Sequence, residues 1–309
     1  MKSLKIGNLK LKNPLFLAPM VEVTDLPYRL ICRKAGAAMA YTEMLHISSI
    51  THKNENTAKL MKIIKEDRPL GIQITGNKID EFEKSIEYFR DFDLVDINSG
   101  CPSDRAVKSN VGSCLLQNPA KLGKIIKLLK DNELTVTAKV RLGFKKNNVF
   151  EIAKAVEKAG ADAITIHARL ANQSYNIPAD WKWIAKVKKQ IGIPIIGNGD
   201  IFTGKDAEAM LDITDGAMIA RGAIGDPLIF LRILHYLKTG KEKEFDFKAN
   251  MKCFAEYLEL AKKYNCLNIT KIKFLGGNFI RNFEGAAKTR AELMKLKKIE
   301  EIEGFIKNL

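Results

Sequence analysis

The sequence contains no apolar run near the roughly 18 residues a membrane span needs, so no bilayer crossing is predicted. Its five cysteines include no C-x-x-C pair, which excludes a disulfide framework and a zinc ribbon. Histidine is scarce and lacks metal-ligand spacing. His46 and His52 flank one segment and His235 falls in a helical pattern, so these three read as structural or surface groups. No G-x-G-x-x-G follows the first strand candidate, and a dinucleotide-binding sheet would therefore lack its phosphate loop. The apolar stretch Leu15–Ala18 is too short for a signal peptide core and has strand length instead. Acidic residues are outnumbered, with 36 Asp+Glu against 51 Lys+Arg and a net charge of +15. That excess fits either a lysine-rich proteome or a polyanionic partner such as nucleic acid, and charge alone does not choose. The expectation is a cytoplasmic, monomeric protein without a metal.

What is present is a core. A 46% hydrophobic share with 28% charged residues belongs to a globular chain, not a disordered one. Strand candidates recur at Leu15–Ala18, Ala38–Glu43, Leu70–Ile74, Leu94–Asn98, Thr135–Arg141, Ala163–His167, Pro194–Gly197 and Ala217–Ala220. Most are bounded by Gly, Pro or Asp and most precede a segment of helical spacing. Ile79–Asp91, Lys121–Lys130 and Val149–Gly160 are the clearest of these. Eight such units predict a closed (β/α)8 TIM barrel over residues 1–240, with an open doubly wound sheet as the runner-up. Beyond the polar break at 241–244 the pattern is helical, at Phe247–Tyr264, Ile269–Phe283 and Lys288–Leu309. This predicts a small helical domain over residues 241–309.

In a parallel barrel the active site lies at the C-terminal strand ends. Nearly every unit here delivers a polar or special residue to that end: Met20, Glu43, Gln73, Asn98, the Lys139/Arg141 pair, the His167/Arg169 pair, Asn198 with Asp200, and Arg221-Gly222. Any one alone reads best as a solvated strand end. Eight in succession point to a site, and the Lys–His–Gln–Asn composition points to an anionic, hydrogen-bond-rich ligand. Glycine loops after the last two strands, Gly197-Asn198-Gly199-Asp200 and Arg221-Gly222, favour a phosphorylated cofactor. Lys139 suits an electron-accepting ring, whose anionic reduced form its charge can stabilise. Cys101 lies in the tight loop Asn98-Ser99-Gly100-Cys101-Pro102, where a thiol can serve as nucleophile or as general acid. Cys32, Cys114, Cys253 and Cys266 fall in apolar helical patterns and read as small buried hydrophobes. Trp181 and Trp183 straddle a helix start and read as packing residues.

The run Val95-Asp96-Ile97-Asn98-Ser99-Gly100-Cys101-Pro102, followed by Ala106 and Gly112-Ser113, resembles the strand-four signature of the tRNA-dihydrouridine synthase family. Further matches are Ala18-Pro19-Met20 with Thr24-Asp25 and Pro27-Tyr28-Arg29, Thr42-Glu43-Met44, Lys139-Val140-Arg141-Leu142-Gly143, and His167-Ala168-Arg169 with Gln173, Tyr175 and Ala179-Asp180-Trp181. Gly197-Asn198-Gly199-Asp200-Ile201 and Arg221-Gly222-Ala223 complete them. Ile177, Leu228 and Ala220 depart from the family's usual Gly, Trp and Gly. The resemblance implies an FMN-dependent enzyme that reduces the C5–C6 bond of a uridine in the D-arm of tRNA, with NADPH as the usual donor. It implies that Ala18, Pro19 and Met20 line the flavin, and that Gln73, Lys139 and His167 hydrogen-bond its ring. Asn198, Gly199, Asp200, Arg221 and Gly222 would hold its phosphate. Cys101 would protonate C5 while the flavin delivers hydride to C6, with Asn98, Arg141 and Arg169 on the substrate side.

Two rival expectations stand beside this one. A flavoenzyme acting on a free pyrimidine, of the dihydroorotate dehydrogenase kind, is disfavoured by the strand-four spacing and the basic tail. A non-catalytic RNA-binding protein on a flavin barrel is disfavoured by Cys101, Lys139 and His167 occurring together. Between Lys262 and Lys298 the tail carries ten Lys+Arg against Glu284 and Glu292, a density that favours RNA contact.

Overall fold

The computed structural model describes residues 3–281 and 283–309. Eight short strands run parallel in chain order around a barrel: Leu15–Leu17, Ala40–Tyr41, Leu70–Thr75, Leu94–Ser99, Val136–Arg141, Ala163–His167, Ile195–Asn198 and Gly216–Ile219. The eighth pairs with the first, and a Phe16–Met39 bridge joins the first to the second, so the ring closes. The second strand is shorter than its apolar run predicts. The Thr42 hydroxyl oxygen accepts from the Gln73 N–H at 3.1 Å, where a ladder carbonyl would otherwise accept. Leu45–His46 then resumes pairing with the third strand.

The lower end of the barrel is stoppered. An antiparallel hairpin, Leu4–Ile6 with Leu9–Leu11, sends Leu4, Ile6 and Leu11 into a cluster with the inward-facing Phe16, Met39, Tyr41, Ile196 and Met218. Gly7 sits at the hairpin turn with φ of 55°. A Cβ there would stand 3.0 Å from Thr135 and 3.1 Å from Asp162, at the N-terminal ends of the fifth and sixth strands.

The helices follow the predicted spacing with two differences. Ile79–Asp91 breaks into a helix, Ile79–Glu83, and a 3-10 turn, Ile86–Phe89. Ser85 lies buried at the break and bonds back to the Glu81 carbonyl at 2.8 Å, a contact that bends helices. The last predicted helix is two, Ala286–Lys295 and Ile299–Lys307. Leu296 turns extended between them, and Glu301 accepts from the Lys297 and Lys298 N–H groups to start the second. Cys266 lies in the loop after the helix Phe247–Lys263, not within it.

The tail helices dock directly on the barrel. Phe247–Lys263 packs against the helix Leu26–Lys34, and Tyr28 meets Tyr257 and Phe279 edge-on, with ring centroids 6.1 and 6.3 Å apart. These rings are fully buried, worth about 1.5–3 kcal/mol each. Beside them Lys271 reaches across to Glu43 at 2.7 Å and Asp25 at 3.4 Å, while Tyr257 donates to Asp25 at 3.1 Å. Burial pushes the Lys271 ammonium down, but the Asp25 and Glu43 carboxylates outweigh it and leave its pKa raised. Among the described residues, no helix is long and apolar enough to cross a membrane.

Candidate active site

The strand registers assemble the site. Asn98 pairs with Lys139, Arg141 with His167, and His167 with Asn198, so side chains far apart in sequence arrive at one height. Because Lys139 and Arg141 are two apart they share the inner face, as do Thr165 and His167. The resulting cavity, about 400 Å3 at the C-terminal mouth, is lined by the fifteen residues that the resemblance assigns to flavin, uracil and proton transfer, whereas Glu43, also expected at this end, is not among them and pairs with Lys271. It also takes Met44, Tyr175, Phe202, Ile224 and Phe274, of which only Met44 and Tyr175 fall in the motifs quoted above.

A buried polar chain supports the floor. Thr137 donates to Asp96 at 2.7 Å, and Gln73 Nε2 donates to the other Asp96 oxygen at 2.7 Å. Asn98 in turn donates to Gln73 Oε1 at 2.9 Å. Its own Oδ1 accepts from the Gly100 and Cys101 N–H groups at 3.1 and 2.9 Å. Both amides are thereby oriented from Asp96, and the loop carrying Cys101 is pinned to the strand end. Arg141 closes the same loop from the other side, donating to the Gly100 carbonyl at 2.8 Å and to Leu170 at 3.0 Å. Cys101 is half-buried and meets Ser103 Oγ at 3.3 Å.

Lys139 is half-buried and donates to Asn198 Oδ1 at 3.3 Å, while Asn198 Nδ2 donates to the Met218 carbonyl at 2.7 Å. Burial, reinforced by the Arg141 charge, pulls the ammonium down from 10.5 to about 8, with Asp96 and Cys101 opposing. Burial likewise drives His167 far below its ordinary value, and Lys139, Arg141, Arg169 and Arg221 add to that effect. It is therefore a neutral imidazole. Since Arg169 can only donate, its 3.1 Å contact makes Nε2 the acceptor and leaves the proton on Nδ1.

One carboxylate organises the cationic wall. Asp200 accepts from Arg169 at 2.6 Å, from Arg221 at 2.7 Å and from the Ala179 N–H at 2.8 Å. Burial would raise its pKa, but the Arg169 and Ala179 bonds and both guanidinium charges together hold it below the usual range. The Ile177 departure leaves Arg169 anchored, because the contact is to the Ile177 backbone carbonyl, at 2.6 Å. Tyr175 stands among these groups, parallel to His167 at 6.1 Å with the Arg221 guanidinium 4.4 Å from its centroid. Gly199, at φ 118°, leaves a gap that a Cβ would close by lying 2.9 Å from His167. A Cβ at Gly222 would lie 2.5 Å from the Ile201 carbonyl. Trp181 ties down the same loop through its indole N–H to the Gly199 carbonyl at 2.9 Å, a packing role.

Residues 16–308 match the family profile described as dihydrouridine synthase (Dus). The chain belongs to the dihydrouridine synthase family. Curated relatives agree. "Probable tRNA-dihydrouridine synthase 1" of Synechocystis sp. is 35% identical over 97% of this chain and 87% of its own length. "tRNA-dihydrouridine synthase B" of Yersinia pestis is 37% identical over 77% of this chain and 76% of its own. Among solved structures, the old yellow enzyme homologue from Zymomonas mobilis superposes with a TM-score of 0.57 at 12% identity. It covers 80% of this chain and 95% of that one, and at that identity it speaks for the barrel fold alone. As a member of an enzyme family, the chain carries at its mouth a cationic, hydrogen-bonding cavity with a single thiol loop. Among the described residues, no group of three or more His, Cys, Asp or Glu could hold a metal ion. Phe274, from the tail, escaped the sequence reading. The available signal was an aromatic on the helix Ile269–Phe279 lying off its buried stripe of Ile272, Leu275 and Phe279.

Proposed function

We propose that the protein reduces the C5–C6 bond of a uridine in the D-arm of tRNA, using FMN held in the barrel mouth. The observation that carries this reading is a half-buried thiol and a half-buried lysine of lowered pKa in one cavity of a dihydrouridine synthase family member. The cavity fits a flavin nucleotide: Gly199 and Gly222 vacate space beside His167 and Ile201 that a Cβ would fill, and the donor set is cationic and amide-rich. Bound there, FMN would supply hydride for C6, with NADPH as the electron donor that the family resemblance implies.

The protein's own residues would do the rest. Ala18, Pro19 and Met20 form an apolar wall for a planar ring. Gln73, Lys139 and His167 offer hydrogen bonds to it, with Gln73 aimed by Asp96. Arg221 and the chain at Asn198, Gly199 and Gly222 face a phosphate, while Asp200 aims Arg221 and Arg169. Arg141 and Asn98 fix the loop that presents Cys101 and turn their remaining donors to the uracil. The Cys101 thiol gives its proton to C5, completing addition of hydride and proton across the double bond. The basic tail offsets the few kcal/mol needed to extract a base from folded RNA.

Two measurements test this. The purified protein is expected to carry flavin absorbance or to bind added FMN. tRNA from cells lacking the protein is expected to lack a nucleotide heavier by two mass units. Absence of flavin binding overturns the reading, as does activity on free dihydroorotate without RNA.

The lowered Lys139 pKa sets a pH dependence. Below about pH 8 the side chain is a cation able to stabilise the electron-rich edge of the ring. Above it the neutral amine predominates. At pH 9 only about a tenth of the apoprotein keeps the cation, so FMN affinity is expected to fall on the order of tenfold between pH 7 and 9. Fluorescence titration of apoprotein checks this, and Lys139→Met should flatten the profile. A slope that survives in that variant assigns the titration to another group.

A further inference from the structure

A second recess opens beside the cavity, formed entirely by the tail. It has a volume of about 450 Å3, within the usual range for ligand sites, and its lining is Phe274, Gly277, Asn278, Arg281, Arg290 and Met294. Phe274, Gly277 and Asn278 lie at helical steps of three and four on the helix Ile269–Phe279, and Arg281 follows just past its end. Arg290 and Met294 face them from the helix Ala286–Lys295. Gly277 keeps the recess open, since a Cβ there would lie 3.1 Å from the Met294 methyl.

Three features need an explanation. Phe274 and Met294 are 47% and 46% exposed, unusual for large apolar side chains side by side. Among the described residues no acidic one lines the recess, whereas two arginines do, Arg281 held by Asn278 and Arg290 by the Ile280 carbonyl at 2.9 Å. Phe274 also lines the catalytic cavity, so the two spaces share a wall.

We infer that this recess holds the nucleotide adjoining the reduced uridine, its base stacked on Phe274 against Met294 and its phosphate on Arg281 and Arg290. The inference rests on the barrel mouth taking a flipped uridine. When a base leaves its stack, the neighbour loses a stacking partner on that side. An aromatic ring at the rim replaces that partner, and because every base has a π-face the contact tolerates sequence. Charge complementarity selects an anionic chain over an acidic or apolar peptide, and the shared wall places its occupant next to the target base.

The test uses the flavin-loaded full chain and synthetic tRNA in which the residue on either side of the mapped uridine is abasic. Phe274→Ala is expected to raise KM roughly tenfold, a loss in the range alanine substitution of stacking residues gives. Phe274→Trp restores KM. One of the two abasic tRNAs reproduces the loss with wild-type protein and adds little to it with Phe274→Ala. Arg281→Ala combined with Arg290→Ala flattens the salt dependence of binding by about one to two units of slope. Flavin content and melting temperature establish that each variant is folded. Wild-type protein that reduces no uridine overturns the functional reading itself. Wild-type protein that is active, while Phe274→Ala keeps its KM or the abasic penalties are equal in both proteins, overturns only the stacking recess.

Discussion

Replacing Cys101 with alanine is expected to cut dihydrouridine formation by about 10²- to 10⁴-fold while leaving flavin content and tRNA affinity intact. That is the range a positioned proton donor supplies. Among the described residues the side chain makes one hydrogen bond, to Ser103 at 3.3 Å, and it is not part of the core. The loop is held by its backbone, through the Asn98 amide, the Arg141 bond to Gly100 and the Ser113 N–H, which donates to the Cys101 carbonyl at 3.0 Å. Gly112, at φ 61°, lets that last strand of chain approach, since a Cβ there would lie 2.7 Å from the same carbonyl. Alanine therefore removes a proton donor without moving what surrounds it. Product quantified by mass spectrometry, with flavin absorbance and RNA anisotropy as controls, decides the matter. Full activity in the variant removes the thiol from the mechanism.

Lys271→Met is expected to destabilise the fold by about 3–5 kcal/mol, the usual consequence of stripping one partner from a buried ion pair. Asp25 and Glu43 are each about 5% exposed, and without the ammonium both carboxylates stay buried. Burial already raises the Asp25 pKa, with Lys271 as the main opposing influence. Loss of that influence pushes it higher still. Urea titration measures the change. Adding Glu43→Gln to Lys271→Met should recover part of it, because an amide costs far less to bury than an unpaired charge. No recovery would mean that packing of the lysine stem, not its charge, holds the tail.

The barrel was legible because its strands are short, apolar and punctuated by Gly, Pro and Asp, and because chemistry-bearing residues recur at one end of each. The strand-four run with Cys101 was legible for a different reason, its length and fixed spacing. What connects those residues was not. Nothing in the spacing shows that Asp200 grips both Arg169 and Arg221, or that Asp96 aims Gln73, because those contacts depend on register between strands. The division of the last helix hinges on a backbone turn at Leu296 and on Glu301 reaching back three and four residues, local choices that an amphipathic pattern averages over. Phe274 was hidden because its partner surface belongs to another part of the fold.

The hairpin stopper at the foot of the barrel carries a kinetic implication. With Leu4, Ile6 and Leu11 filling the lower end, the cavity is reached through the upper mouth. On the reading proposed above, a nicotinamide donor and a flipped uridine would take turns at the same doorway, the donor leaving before RNA enters. Initial rates measured against one substrate at several fixed levels of the other would give parallel double-reciprocal lines, and an excess of tRNA would slow the protein by blocking its own recharging.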